Sequence, residues 1–220
     1  MLPPLYPILD IQLCGERRLD PVAVLEAFLD GGARFIQLRD KTPSTSERLR
    51  CADAVVARAH AAGARVIVND RPDVARLSGA DGVHVGQDDL SVDEARRIVG
   101  PDAIVGLSTH DRAQIEAAAR TSATYIAVGP IYGTGTKDTG YAPRGLDLLR
   151  EAALALRQRS GQAGRPVVAI GGITLETAEQ VLAAGASSVA VISDLLTGGP
   201  PAARVRAFLD RLSRAPGALG

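Results

Sequence analysis

Two short apolar runs of this sequence end in acid. VIV at 66–68 stops at Asn69-Asp70, and GVHV at 82–85 stops at Gly86-Gln87-Asp88-Asp89. If the two runs are neighbouring strands, about 4.8 Å apart, Asp70 and Asp89 can converge. Converging carboxylates can do acid–base work with one pKa raised. They can cap the helices that follow them, or hold Mg2+ together with substrate phosphates. A third run, FIQLRDK at 35–41, bears on that choice. Side chains alternate across a strand, so Gln37, Arg39 and Lys41 share one face while Ile36 and Leu38 share the other. A buried Arg39 has to meet an anion, either a carboxylate or a ligand phosphate. A ligand role is preferred here over an internal ion pair. With these cations nearby, Mg2+ ranks first for Asp70 and Asp89, capping second and acid–base work third.

The elements that would position these residues repeat along the chain. β-rich runs occur at 5–10, 35–40, 65–70, 82–87, 104–109, 125–130, 167–172 and 188–193. Between them lie helix-like stretches rich in Ala, Leu, Arg and Glu, several finishing in Gly as helix C-caps do. RPDVARLSG is the exception, barely two turns long. Alternation of strand and helix implies parallel strands with crossover helices. The number of units predicts an α/β fold of the (β/α)8 TIM-barrel type. An open doubly wound sheet is the alternative, and the absence of a Gly-rich dinucleotide turn after the first run argues against it. Barrels of this type carry their chemistry at the C-terminal ends of the strands. Those ends read Asp10, Gln37 to Lys41, Asn69-Asp70, Gly86 to Asp89, Ser108-Thr109-His110, Gly129-Pro130, Gly171-Gly172 and Ser193-Asp194. The opposite ends, such as Ala33-Arg34, are ordinary, so polarity is concentrated on one rim.

Two more rim segments suit anions. The long connection IYGTGTKDTGYAPRG (131–145) has the glycines of a mobile lid. It lacks the G-x-x-x-x-G-K-[ST] pattern of a P-loop. Thr134 and Thr136 can still hydrogen-bond phosphate oxygens, and Lys137 adds a cation. Ile170-Gly171-Gly172-Ile173-Thr174 and Ile192-Ser193 fall at the usual phosphate corner of such barrels. Backbone N–H groups at glycines and helix N-termini bind anions there without charged side chains, a role compatible with a simple tight turn. Of the histidines, His60 reads as a surface residue and His84 as a satisfied core histidine. His110 sits on the rim behind the site. No Ser-His-Asp arrangement or Cys nucleophile is apparent.

Composition narrows the partners. A chain of 220 residues with 46% hydrophobic content makes one core, expected as a single barrel domain over 1–214 with a disordered tail at 215–220. Twenty-five basic and 25 acidic residues cancel, so no overall field recruits nucleic acid or an anionic membrane. Absence of Trp and few aromatics leave little for stacking bases. Cys14 and Cys51 are too few for a disulfide framework and read as reduced thiols. The N-terminus shows no signal peptide, and no uncharged run reaches the ~20 residues of a membrane span. A soluble, cytoplasmic protein is expected, with a homodimer suggested by how common dimers are.

Taken together, QLRDK (37–41), VND (68–70), GVHVGQDD (82–89), VGLSTH (105–110), VGPIYGTGTK (128–137), VAIGGIT (168–174) and VAVIS (189–193) resemble thiamine-phosphate synthase. The pieces stand in that family's order and spacing along nearly the whole chain. The resemblance implies a transferase that joins 4-amino-2-methyl-5-hydroxymethylpyrimidine diphosphate to a thiazole phosphate, with diphosphate leaving first and the thiazole nitrogen capturing a pyrimidine carbocation. It implies that Gln37, Leu38, Arg39, Asp40, Lys41, Asn69, Ser108 and Lys137 bind the pyrimidine diphosphate. Of these, Arg39, Lys41, Ser108 and Lys137 are catalytic. It further implies that Asp70 and Asp89 ligate one Mg2+ per subunit, and that Thr134, Gly135, Thr136, Gly172, Ile192 and Ser193 hold the thiazole phosphate. Position 40 is Asp where many relatives have Glu, and position 88 is Asp where Glu is common. Alternation aims Asp88 away from Asp89. A related barrel isomerase, the thiazole tautomerase, would need no diphosphate–metal site. A non-catalytic phosphate-binding barrel is the remaining alternative.

Overall fold

The computed structural model describes residues 2–133, 141–159 and 164–214. Eight parallel strands close into a barrel in sequence order. They are β1 (Leu5–Asp10), β2 (Phe35–Arg39), β3 (Arg65–Asn69), β4 (Gly82–Val85), β5 (Ile104–Thr109), β6 (Tyr125–Val128), β7 (Val167–Ile170) and β8 (Ser188–Val191). β8 returns to β1 through Leu5↔Val189, Tyr6↔Ala190 and Pro7↔Val191, so the sheet is closed and the open alternative is excluded. Helices α1 (Ile11–Glu16), α2 (Pro21–Asp30), α3 (Thr45–Ala61), α4 (Pro72–Ser78), α5 (Val92–Val99), α6 (Arg112–Ala118), α7 (Gly145–Arg159), α8 (Ala178–Ala183) and α9 (Pro201–Leu212) surround it.

Alternation along each strand builds two apolar layers. Ile36, Leu38, Val66, Val68, Val83 and Val85 face outward, in one cluster with Phe28, Val55, Ala95 and Phe208 of the helices. Burying each such side chain contributes about 2 kcal/mol. Tyr6, Ile8, Phe35, Ile67, Tyr125, Ala127, Val168 and Ala190 fill the bore. Positions 37, 39, 69, 84 and 108 continue the inward-facing set toward the C-terminal rim.

Local chemistry sets the helix ends. Ser91 and Glu94 form a reciprocal capping box at α5. Ser44 and Asp111 each accept a backbone N–H at the start of α3 and α6. Gly79 closes α4 in the left-handed conformation that glycine adopts without steric cost. α1 follows β1 directly because Asp10 caps it, accepting the Leu13 N–H at 3.0 Å. Among the described residues no helix is long and apolar enough to cross a membrane. The tail at 215–220 lies outside the described residues.

Candidate active site

β3 and β4 deliver the two carboxylates side by side. Asn69 is in register with His84, and the Asp70 N–H donates to the His84 carbonyl at 2.8 Å. Asp70 then turns the chain at φ +63°, a conformation that Asp tolerates better than most residues. Neither carboxylate caps a helix. The α4 N-cap is Arg71 and the α5 N-cap is Ser91. The capping alternative therefore fails, because both acids sit in the turns before the helices. Asp89 instead folds back to accept the Gly86 N–H at 2.7 Å. Partial desolvation pushes its carboxyl above the usual carboxylate range, and the neighbouring Asp70 adds to the shift by charge and hydrogen bonding. Lys41 forms an ion pair with Asp70, bringing a cation of the second run onto the carboxylate pair. Two oxygen-donor carboxylates close enough to interact are the donor type that a hard cation such as Mg2+ takes, with ligand oxygens needed to complete its shell, since no third His, Cys, Asp or Glu joins them among the described residues.

Arg39 turns to Asp10, forming a buried ion pair across β2 and β1. Its Nε is also buried and lacks a hydrogen-bond partner among the described residues. The guanidinium thus meets a protein carboxylate and keeps one donor in hand.

Below the rim, polar side chains cross the bore. Gln37 donates to Tyr6 Oη at 3.1 Å, and Tyr6 Oη lies 3.0 Å from Tyr125 Oη. His84 Nδ1 lies 2.9 Å from Tyr125 Oη, and His84 Nε2 lies 2.8 Å from Ser108 Oγ. Gln87 secures Ser108 from the loop, donating to its backbone carbonyl at 2.5 Å. Gln37, Asn69 and Ser108 are therefore held in a buried or half-buried layer under the charged rim.

The corner after β7 and β8 is built on close backbone approach. Gly171 and Gly172 have φ of +102° and +61°. A Cβ at Gly172 would stand 2.4 Å from the Gly133 carbonyl oxygen. Ser193 opens a 3₁₀ turn (Ser193–Leu196) preceded by Ile192. Asp194 braces this corner, accepting the Leu175 N–H at 3.1 Å and receiving both Nε and Nη2 of Arg204 from α9. His110 Nδ1 lies 2.6 Å from the Gly129 carbonyl, and its ring stacks on Tyr141 with centroids 4.1 Å apart. Thr134, Gly135, Thr136 and Lys137 lie outside the described residues. Leu38 faces the outer apolar layer, whereas Asp40 accepts the Thr42 N–H at the end of the second run.

Among the sequence candidates, Lys41, Asp70 and Asp89 form one charged group, and Gln37 and Ser108 are linked through the bore. Arg39 is drawn aside to Asp10. Tyr6, Tyr125, Gln87 and Asp10 are polar participants that the sequence reading leaves without a role. Alternation would have found the two tyrosines, since positions 6 and 125 face the bore and a buried phenol needs a hydrogen-bond partner. The role of Gln87 depends on loop geometry and has no such signal, and that of Asp10 depends on β1 and β2 standing side by side in register.

Fold and rim define a (β/α)8 barrel whose mouth mixes carboxylates and cations over a buried polar layer. The model of the family described as thiamine monophosphate synthase matches residues 5–195. A thiamine-phosphate synthase of Roseiflexus castenholzii is 44% identical over 205 residues, covering 93% of this chain and 86% of that protein. Another, from Roseiflexus sp., is 41% identical over 203 residues, covering 92% and 82%. A solved thiamine phosphate pyrophosphorylase from Pyrococcus furiosus superimposes with a TM-score of 0.82 at 30% identity, over 97% of this chain and 96% of that one. The chain belongs to the thiamine monophosphate synthase family.

Proposed function

We propose that this chain, as a member of that family, joins 4-amino-2-methyl-5-hydroxymethylpyrimidine diphosphate to a thiazole phosphate, releasing thiamine phosphate and diphosphate. The observation that carries the reading is the Lys41–Asp70–Asp89 group at the C-terminal rim, in a chain matched by the family model along most of its length. A phosphate-only isomerase has no need of such a group.

The chemistry is the exchange of a C–O bond for a C–N bond. Diphosphate departs from the pyrimidine methylene with the bonding electrons. The resulting carbocation is shared with the amino-substituted ring, and the thiazole nitrogen donates its lone pair to the same carbon. Such a sequence asks for stabilisation of the leaving charge and for alignment, more than for proton transfer. Lys41, Arg39 and Lys137 would face the diphosphate as cations, Gln37, Asn69 and Ser108 would orient the pyrimidine diphosphate from below, and Asp40 would support that end of the second run. Arg39 has a donor to give, since its buried Nε has no acceptor among the described residues. Asp70 and Asp89 would hold one Mg2+, which supplies positive charge for the departing diphosphate oxygens. Thr134, Gly135, Thr136, Gly172, Ile192 and Ser193 would hold the thiazole phosphate through hydroxyls and backbone N–H groups. Leu38 would act only through its packing, since its side chain points outward. A cytoplasmic location and a homodimer accord with this reading.

Purified protein incubated with both substrates and Mg2+ is expected to yield thiamine phosphate and diphosphate in equal amounts. No product at saturating substrates would refute the assignment.

A further inference from the structure

Gln37, Tyr6, Tyr125, His84 and Ser108 form one hydrogen-bonded row from β2 across the bore to β5. The row has a direction. Gln37 Nε2 can only donate, so the Tyr6 oxygen accepts there, and the acceptor shown for the Tyr6 hydrogen among the described residues is Tyr125 Oη. Tyr125 in turn donates to His84 Nδ1. A neutral imidazole that accepts at Nδ1 carries its hydrogen on Nε2, which then donates to Ser108 Oγ. Each phenol contributes one hydrogen throughout, because burial raises both hydroxyls above the ordinary phenol range. The row therefore ends with the Ser108 hydroxyl hydrogen still to be given. In the opposite direction Ser108 would donate to His84 and offer only lone pairs to an anion.

A separate feature of β5 keeps the row closed. Gly106 is in register with both His84 and Tyr125. A Cβ there would lie 2.1 Å from Tyr125 Cζ, 2.4 Å from Tyr125 Oη and 2.5 Å from His84 Nδ1. Glycine is needed at this position for space, and the space is where the Tyr125–His84 bond lies.

We infer that Tyr6, Tyr125 and His84 are positioning residues that polarise Ser108 into a hydrogen-bond donor for a phosphate oxygen of the diphosphate substrate, with Gly106 as the spacer that lets them meet. The inference rests on the reading above that Ser108 faces the pyrimidine diphosphate. Its first test needs no activity. In 15N NMR spectra of the ligand-free protein, His84, assigned by its loss in His84→Gln, is expected as the Nε2–H tautomer with Nδ1 accepting. A dominant Nδ1–H tautomer would overturn the inference. In the second test, binding of inorganic diphosphate in the presence of Mg2+ should weaken about tenfold in Tyr125→Phe, the effect of losing roughly one hydrogen bond. In a Ser108→Ala background the same change should have no further effect. Unchanged affinity in Tyr125→Phe, or an equal loss with and without Ser108, would refute the relay. Gly106→Ala should mimic Tyr125→Phe, and Tyr125→Phe alone decides the matter if the alanine variant does not fold. Product formation by the wild type is a separate measurement, so failure of the synthase assignment and failure of the relay are distinguishable.

Discussion

Asp89 stands where its negative charge costs the fold stability. Desolvation and the adjacent Asp70 both hold its carboxyl above the usual range. A carboxyl in that condition binds its proton more tightly in the folded chain than in the unfolded one. Stability therefore falls as pH rises from the ordinary carboxylate range through the raised value, and the deficit is complete above it. Asp89→Asn is accordingly expected to raise the metal-free melting temperature at neutral pH, with the advantage disappearing in acid. The same variant should lose most of its turnover and much of its Mg2+ response. Paired melting curves and Mg2+ titrations check both halves, and wild-type turnover with an unchanged metal response would contradict the metal assignment. For Lys137→Ala the expectation is a chemical step slowed on the order of a hundredfold, as when one charge-stabilising donor is removed. Single-turnover kinetics would reveal it, with thiazole phosphate affinity little changed.

At the scale of elements, the loops after β7 and β8 are held by devices that can be broken one at a time. Gly172 combines φ +61° with a carbonyl oxygen 2.4 Å from where a Cβ would be. Gly172→Ala should cost about 1–3 kcal/mol of stability and raise the KM for the thiazole phosphate, as read by urea denaturation and steady-state kinetics. Asp194 and Arg204 form a largely buried ion pair that joins the β8 turn to α9 and to the Leu175 backbone. Asp194→Ala strands the guanidinium and should cost about 3 kcal/mol, measured by the same denaturation. These elements are also where sequence reading is uneven. The strands are legible from apolar runs, but β4, β6 and β7 stop earlier than those runs suggest because Gly or Pro follows, and β8 stops early because the 3₁₀ turn at Ser193–Leu196 takes over. α1 escapes notice because its six residues carry no apolar period and depend on the Asp10 cap.

For the whole molecule, closure of the barrel makes the scaffold independent of the site. The bore and the outer layer are packed by apolar side chains, and Asp70 has Lys41 as a counter-ion without any metal. Chelation with EDTA is therefore expected to abolish product formation while shifting the melting temperature by no more than a degree or two, given that small stability changes move it only a few degrees. A large drop on chelation would mean that the metal holds the fold together as well as the site.

By itself the sequence determines the barrel, through the number and alternation of its apolar runs, and the rim on which its polar residues gather. It also determines which residue types stand there, since Asp70, Asp89, Arg39 and Lys41 are legible from alternation and charge alone. Only the tertiary structure decides who meets whom. By charge alone Arg39 calls for either a carboxylate or a ligand phosphate, and its pairing with Asp10 follows from β1 and β2 being neighbours in register. Tyr6, His84 and Tyr125 come from runs far apart in the chain, and periodicity marks each only as core. Barrel closure brings them to one bore, and the missing side chain of Gly106 lets them touch. Periodicity is a local property that the sequence carries in full, whereas hydrogen-bond partnership depends on distances fixed only when the sheet closes.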